Sequence, residues 1–250
     1  FGALSGYDWT EKTQAKWNIR RMMGDLSRDI ATNVFTLMEL QYTTGLNSKG
    51  LLQRRSDQSV EKAKEAYFAV RNVTALFDDR VSRLATFSPT HNGGSSIQIS
   101  GYVRTDIGKP MIVLWKGGAT PSDDDVITSV DVLAPSMQFT EPVIADLRTG
   151  SVLKIPSGSW TPQGGGTKFF SLPVTDSPIV VAERSTIHNP YDRWVLERFS
   201  ESSATNLLIS GKTADPDGDG ICNLLDFGTA RPNGSHGAPI KSAGIPDGPA

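Results

Sequence analysis

The runs SIQISGYV at residues 96–103 and PMIVLW at residues 110–115 decide the fold of this chain. Both are short, rich in β-branched and aromatic residues, and separated by a few turn residues, which is typical of neighbouring β-strands. Further runs of the same kind follow: DVITSVDVL (125–133), PVIADL (142–147), SVLKIP (151–156), TKFFSLPV (167–174) and SPIVVAE (177–183). Because no helical pattern interrupts them, residues 92–186 are predicted to form a sandwich or barrel of antiparallel strands.

Residues 1–91 have a different pattern, in which helices flank a strand. Apolar residues recur at helical spacing from Ala15 to Leu26 and again from Val60 to Leu84. Between them, VFTLMEL at residues 34–40 is nearly all apolar, as expected of a strand buried on both faces of a parallel sheet. This order of helix, buried strand, loop and helix predicts an α/β unit.

The end of the chain has two parts. YDRWVLERF at residues 191–199 predicts a short helix, and an acidic loop follows it. Residues 231–250 are dominated by Gly, Pro, Ser and Ala, so they cannot bury enough apolar surface to order themselves. This tail is predicted to be disordered.

The composition excludes several classes of protein. The formal net charge is −2, so no strong basic field indicates a nucleic-acid partner. No apolar run approaches the roughly 18 residues that a membrane-spanning helix needs. The single cysteine, Cys222, excludes an internal disulfide framework.

The acidic loop DPDGDGICNLLD at residues 215–226 has the spacing of a helix–loop–helix calcium site. Such loops place oxygen ligands at alternate positions and at the last one, with a glycine at the sharp turn. The predicted ligands are Asp215, Asp217, Asp219, the Ile221 carbonyl, Asn223 and Asp226, with Gly220 at the turn. The last ligand is Asp rather than Glu, and its shorter reach weakens bidentate binding. The alternative is an Asp/Gly-rich turn that holds no ion.

The loop is similar to those of dockerin modules and of C-terminal segments in secreted bacterial hydrolases. Dockerins pair two such loops, whereas this chain has one. The pattern therefore favours one structural Ca²⁺ clip over a dockerin that binds a partner module.

Longer stretches resemble bacterial glycoside hydrolases with a (β/α)8 barrel. GALSGYDWTEKTQAKWNIRRMMGDL (2–26), SKGLL (48–52) and EAYFAVRNVTALFDDRV (65–81) resemble the end of the catalytic domain. DLRTGSVLKIP (146–156) and FFSLPVTDSPIVVAERS (169–185) resemble the β-sandwich that follows the barrel. The resemblance implies an α/β plus all-β chain: the last α/β units of a barrel at 1–91, an accessory antiparallel sandwich at 92–186, and a helix with its calcium loop at 187–230.

The function implied is that of the C-terminal portion of a secreted glycoside hydrolase acting on a poly- or oligosaccharide. The resemblance places the catalytic carboxylate pair before Phe1, so no catalytic residue is expected within the chain, and the rest of the barrel would be a partner. Glu39, Gln41 and Tyr42 would lie at the mouth of the last barrel strand and contact the sugar. The structural alternative is that Glu39 forms an ion pair and Tyr42 packs at a strand end.

A second class of function fits the same residues. In this alternative the chain is a non-catalytic extracellular module whose sandwich binds carbohydrate or protein, with a structural calcium site. Trp115 and Trp160 could form a sugar-binding face, although such residues more often fill a core. The sandwich is expected to pack against a helix at 60–84, with Ile112, Leu114, Val143 and Ile179 in its core.

Overall fold

The computed structural model describes residues 10–187, 191, 194, 195, 198, 199, 203, 206–218 and 220–228. The chain divides into two compact units, Phe1–Ile187 and His188–Ala250. The tail predicted to be disordered at 231–250 lies outside the described residues. Within the described ranges, no helix is long and apolar enough to cross a membrane.

The first unit combines two helices with short strands. The helices are α1, Glu11–Leu26, and α2, Glu65–Leu76. The strands are β1 Leu40–Tyr42, β2 Gly45–Asn47, β3 Leu52–Arg54, β4 Val60–Ala63, β5 Val81–Arg83, β6 Thr90–His91, β7 Ile97–Arg104, β8 Lys109–Lys116, β9 Thr128–Ala134, β10 Pro142–Asp146, β11 Val152–Lys154, β12 Trp160–Gln163, β13 Gly166–Val174 and β14 Ile179–Glu183.

Two antiparallel sheets form the centre of this unit. A six-stranded sheet has the order β11-β10-β14-β8-β7-β5, and a four-stranded sheet has the order β12-β13-β9-β6. All pairings within the two sheets are antiparallel. Two separate hairpins, β1–β2 and β3–β4, lie in the segment between the helices. The predicted antiparallel sandwich is therefore confirmed.

The six-stranded sheet is covered on both faces, which explains the continuous apolar run in β8. Successive side chains of a strand point to opposite faces of its sheet. Met111, Val113 and Trp115 belong to one buried cluster with the apolar faces of α1 and α2. Ile112 and Leu114 belong to a second cluster, between the two sheets. The unit therefore has three layers: helices, central sheet and outer sheet.

The residues expected in the core are where the strand pattern placed them. Ile112, Leu114, Val143 and Ile179 are all buried. Trp115 is also buried and packs beneath the helices, so it forms no surface for a sugar. Trp160 is partly buried against the core between the sheets.

The prediction that residues 1–91 form the end of a (β/α)8 barrel is wrong. A parallel strand at 34–40 would be buried on both faces, yet Phe35 and Leu37 are 62% and 61% exposed. Strand β1 begins only at Leu40 and pairs with β2 in an antiparallel hairpin, and the parallel contact is limited to the bridge between Met38 and Leu52. Helices α1 and α2 cover an antiparallel sheet instead of alternating with parallel strands. Among the described residues, no (β/α)8 unit is present.

The second helix is shorter than its apolar periodicity predicts. The first turns expected from Val60 onward form strand β4, which pairs with β3, and the helix begins at Glu65. It ends at Leu76, and residues beyond Phe77 turn back into strand β5. Residues on both sides of position 91 belong to the first compact unit.

The second unit contains helix α3, Leu207–Ser210, and helix α4, Asn223–Gly228. Tyr191, Trp194, Val195 and Arg198 are helical, in agreement with the helix predicted at 191–199. The acidic loop at 215–226 follows α3, and its last four residues form the start of α4.

Candidate ligand-binding groove

A groove with a volume of about 710 Å³ opens in the first unit between helix α1 and the segment 32–49. We call it the α1 groove. Three stretches of chain form it: the exposed side of α1, the residues just before β1, and the β1–β2 hairpin with the loop that follows. Its lining residues are Gln14, Asn18, Arg21, Met22, Thr32, Asn33, Val34, Phe35, Tyr42, Thr44, Gly45, Leu46, Asn47, Ser48 and Lys49.

Most of the side chains in this lining can form hydrogen bonds. Amides come from Gln14, Asn18, Asn33 and Asn47, and hydroxyls come from Thr32, Tyr42, Thr44 and Ser48. The apolar part consists of Met22, Val34, Phe35 and Leu46. Arg21 and Lys49 carry positive charge, and none of the described lining residues is an Asp or Glu.

Hydrogen bonds from α1 hold the far wall of the groove in place. The Gln14 amide nitrogen Nε2 donates to the carbonyl oxygens of Lys49 at 2.8 Å and Gly50 at 3.1 Å. From the other side, Lys64 Nζ donates to the carbonyl of Ser48 at 2.6 Å. The Asn47 side-chain oxygen accepts from the Lys49 backbone amide at 3.1 Å and so closes a local turn. These hydrogen bonds hold the loop in a defined position.

Gly50 allows this wall to approach the segment before β1. A Cβ atom at position 50 would lie 2.2 Å from the backbone nitrogen of Glu39 and 2.4 Å from the carbonyl carbon of Met38. No side chain fits at such distances from backbone atoms. The glycine is therefore needed where residues 36–39 run beside Leu51 and Leu52, a contact held by backbone hydrogen bonds.

Glu39, the expected sugar contact, lies away from the groove. Its side chain is buried, and Oε1 lies 3.1 Å from Lys64 Nζ. Its other carboxylate oxygen accepts a hydrogen bond from the Arg54 backbone amide at 3.3 Å. This is the structural alternative: a buried ion pair that joins the chain before β1 to the β3–β4 hairpin.

Of the other two expected sugar contacts, Gln41 and Tyr42, only Tyr42 lines the groove. Gln41 is exposed, does not line the groove, and donates from Nε2 to the Tyr42 carbonyl at 2.9 Å. Tyr42 does line the groove, and its ring is about half exposed. Phe35, on the segment before β1, adds a second exposed ring to the lining. Tyr42 is thus the one predicted contact that the fold brings to the groove.

The acidic loop of the second unit already has internal order around Asp215. Its Oδ1 accepts from the Gly218 amide and its Oδ2 from the Gly220 amide, both at 2.9 Å. Asp219, another predicted calcium ligand, lies outside the described residues. Arg198 Nη2 lies 3.8 Å from carboxylate oxygens of both Asp217 and Asp226, so the guanidinium group lies close to two of the predicted calcium ligands.

The Asn223 side chain joins the end of the loop to residues that precede its start. Its side-chain Nδ2 donates to the Ile209 carbonyl at 2.7 Å and the Gly211 carbonyl at 2.9 Å. Asn223 and Asp226 are buried, whereas Ile221 is half-buried. Among the described residues, no group of three or more His, Cys, Asp or Glu side chains is arranged to hold a metal ion.

An aromatic cluster packs the two sides of this loop against each other. The rings of Tyr191 and Trp194 lie 5.6 Å and 6.2 Å from the ring of Phe227 in helix α4, in edge-to-face arrangements. The Tyr191 hydroxyl donates to the Ser210 carbonyl at 2.8 Å. These contacts join Tyr191 and Trp194 to residues on both sides of the loop.

Comparison with known proteins adds no family to this description. No protein-family model matches the chain, and a search of curated proteins finds no match. The functional interpretation therefore rests on the geometry and chemistry of the chain itself.

Proposed function

We propose that the first unit is a non-catalytic binding module and that the α1 groove holds a carbohydrate. The observation that carries the proposal is the lining: amides and hydroxyls surround two exposed aromatic rings, with no carboxylate from the described residues. Ligand sites typically combine apolar surface with a few placed polar groups. A sugar ring presents hydroxyls at its edge and C–H groups on its faces, so it matches both parts of this lining.

The same lining supports binding over hydrolysis. Glycoside hydrolysis ordinarily requires two carboxyl groups beside the scissile bond, one to protonate the leaving oxygen and one to act as nucleophile or base. The groove offers Arg21, Lys49 and neutral groups in their place. Glu39 is close in sequence, but its carboxylate is buried against Lys64.

The rigidity of the groove wall also supports a binding role. Gln14 and Lys64 each hold a carbonyl of the loop that carries Asn47, Ser48 and Lys49. Because these side chains are positioned in advance, a ligand does not have to order the loop when it binds. A sugar, whose individual hydrogen bonds are weak, binds more tightly when no free energy is needed to order the site.

Calorimetric titration of the full chain with a panel of neutral and acidic oligosaccharides tests the proposal. We expect saturable binding to at least one of them, weakened about tenfold or more by Tyr42→Ala, since loss of an aromatic–sugar contact removes packing and a hydroxyl together. Phe68→Ala is the matched control, because Phe68 is also an exposed ring but lies outside the groove lining. Binding that survives Tyr42→Ala and Phe35→Ala unchanged would reject the groove as the site.

For the second unit, we propose that the loop at 215–226 binds one structural Ca²⁺. An ion that neutralises Asp215, Asp217 and Asp226 would stabilise the fold of this loop. That fold includes the aromatic contacts of Phe227 and the hydrogen bonds of the Asn223 side chain. The proposal includes an extracellular location, where structural calcium loops bind Ca²⁺ with dissociation constants of about 10⁻⁴–10⁻³ M. Calorimetry of the full chain with Ca²⁺ is the test, and an Asp215→Asn/Asp217→Asn variant that binds equally well would refute it.

A further inference from the structure

We propose that the α1 groove selects acidic sugars, of the uronate class, over neutral ones. This inference rests on the proposed carbohydrate-binding function and specifies its ligand. It starts from the charges in the lining, which are those of Arg21 and Lys49, with no Asp or Glu among the described lining residues. A carboxylate on the ligand would complete this arrangement.

The two cations differ in how far their charge is already balanced. Arg21 Nε lies 2.6 Å from Asp25 Oδ2, so its charge is largely matched within helix α1. Lys49 makes no ion pair with any carboxylate in the described part of the chain, although its side chain is half-buried. The unmatched positive charge of the groove is therefore that of Lys49.

The position of Lys49 is fixed by its backbone. Its carbonyl accepts from Gln14, and its amide donates to the Asn47 side chain. Only the lysine side chain is left to move, and Lys49 belongs to the groove lining. A carboxylate of a bound sugar would gain a charge-assisted hydrogen bond at a site already built for it.

Lys49 thus favours a ligand that brings oxygens with negative charge. Neutral sugars offer hydroxyls, which accept more weakly than a carboxylate.

The test uses one sugar backbone with and without its charge. We titrate the full chain, at low and at physiological salt, with an oligogalacturonate and with its methyl ester of the same length. At low salt the acid is expected to bind about tenfold more tightly than the ester, because a charge-assisted hydrogen bond contributes about that factor. The difference should shrink at higher salt, since partly exposed charges are screened.

Two variants assign the selectivity to Lys49. Lys49→Gln should bring acid and ester to similar affinity, whereas Lys154→Gln, which changes an exposed lysine of β11 outside the groove, should leave the difference intact. Equal binding of acid and ester, both weakened by Tyr42→Ala, would overturn the acidic-sugar inference while the carbohydrate-binding function stands. Binding of none of the oligosaccharides would reject both. Equally strong competition by inorganic phosphate would identify a general anion site and overturn the inference as well.

Discussion

Gln14 Nε2 lies 2.8 Å from the carbonyl oxygen of Lys49, although the two residues are 35 positions apart in the chain. Gln14 belongs to helix α1, which packs on the central sheet through its apolar face. Lys49 belongs to the loop that forms the far wall of the α1 groove. This one side chain therefore connects the core of the unit to the groove.

Replacing Gln14 should weaken both stability and ligand binding. Gln14→Ala leaves the carbonyls of Lys49 and Gly50 without this donor, at an expected cost of about 1–3 kcal/mol in the free energy of unfolding. Urea denaturation measures the change. Gln41→Ala is the matched control, because the Gln41 side chain is exposed and, among the described residues, bonds only to the carbonyl of its neighbour Tyr42. Similar stability of the two variants would contradict this role for Gln14.

Lys16 is predicted to be a major source of stability, because it is fully buried with anionic partners. Its Nζ donates to the carbonyls of Ser122 and Asp124 and lies 2.9 Å and 2.7 Å from carboxylate oxygens of Asp125 and Asp176. These contacts attach two loops to helix α1: the one between β8 and β9, and the one between β13 and β14 that carries Asp176.

Lys16→Met should lower the free energy of unfolding by about 1–3 kcal/mol, since the carbonyls of Ser122 and Asp124 and the Asp176 carboxylate lose their donor. Lys12→Met is a close control: Lys12 also contacts Asp125, at 2.7 Å, but its side chain is partly exposed. We expect that variant to lose less than about 1 kcal/mol. Thermal and urea unfolding would show the difference, and comparable losses in the two variants would count against the buried cation.

Gly50→Ala should disrupt the groove wall. The added methyl group would meet the backbone of Met38 and Glu39, which cannot move as a flexible side chain can. We expect a loss of about 1–3 kcal/mol or more, together with weaker ligand binding. Gly158→Ala provides the comparison, because its added Cβ meets nothing within 4 Å, and its effect should stay within about 1 kcal/mol. An unchanged melting temperature for Gly50→Ala would show that the loop packs less closely than described.

Asp78 should make the free energy of unfolding depend on pH in the acidic range. Hydrogen bonds from the Arg80 side chain, aided by the Arg80 amide and by Arg104, lower the pKa of the Asp78 carboxyl from 3.8 to about 2 and outweigh the effect of burial. Because the pKa is lower in the folded state, Asp78 stabilises fully above pH 3.8, and this contribution is lost as the pH falls through 2.

The stability difference between the wild-type chain and Asp78→Asn should therefore be largest above pH 4 and shrink toward pH 2. Urea denaturation across this pH range measures it. The neighbouring Asp79→Asn should give a smaller and flatter difference, because the Arg80 and Arg104 side chains donate to Asp78 instead. A gap for Asp78→Asn that does not change with pH would remove the assigned role of this carboxylate.

The sandwich could be predicted from the sequence because its signal is local. The run at 110–115 is apolar throughout since both faces of β8 are covered. Ile179 in the adjacent strand β14 and Val143 in the next strand β10 are buried as expected. The segment 34–40 has the same apolar character for another reason. Phe35 is exposed in the groove wall, and periodicity does not distinguish an apolar binding surface from a buried strand.

The groove itself could not be predicted in this way. Asn18, Asn33 and Lys49 come from three stretches that approach one another only through tertiary packing. None of them belongs to a motif with a chemical spacing, so each resembles an ordinary surface residue in the sequence. Tyr42 can be proposed as a sugar contact from the sequence because an aromatic residue at a strand end is conspicuous, and it lines the groove. Glu39 is predicted by the same strand pattern, but it is a buried partner of Lys64. The acidic loop differs, since its spacing is local and can be recognised in the sequence.

The most direct test of the account is an NMR titration of the full chain with the oligosaccharide that binds best, followed through the side-chain amide signals. The account predicts that Asn18, Asn33 and Asn47 in the groove shift with the ligand, while Asn72, whose amide is held by the Leu147 carbonyl outside the groove, stays unchanged. Saturable binding that moves signals elsewhere and leaves these three amides in place would contradict it.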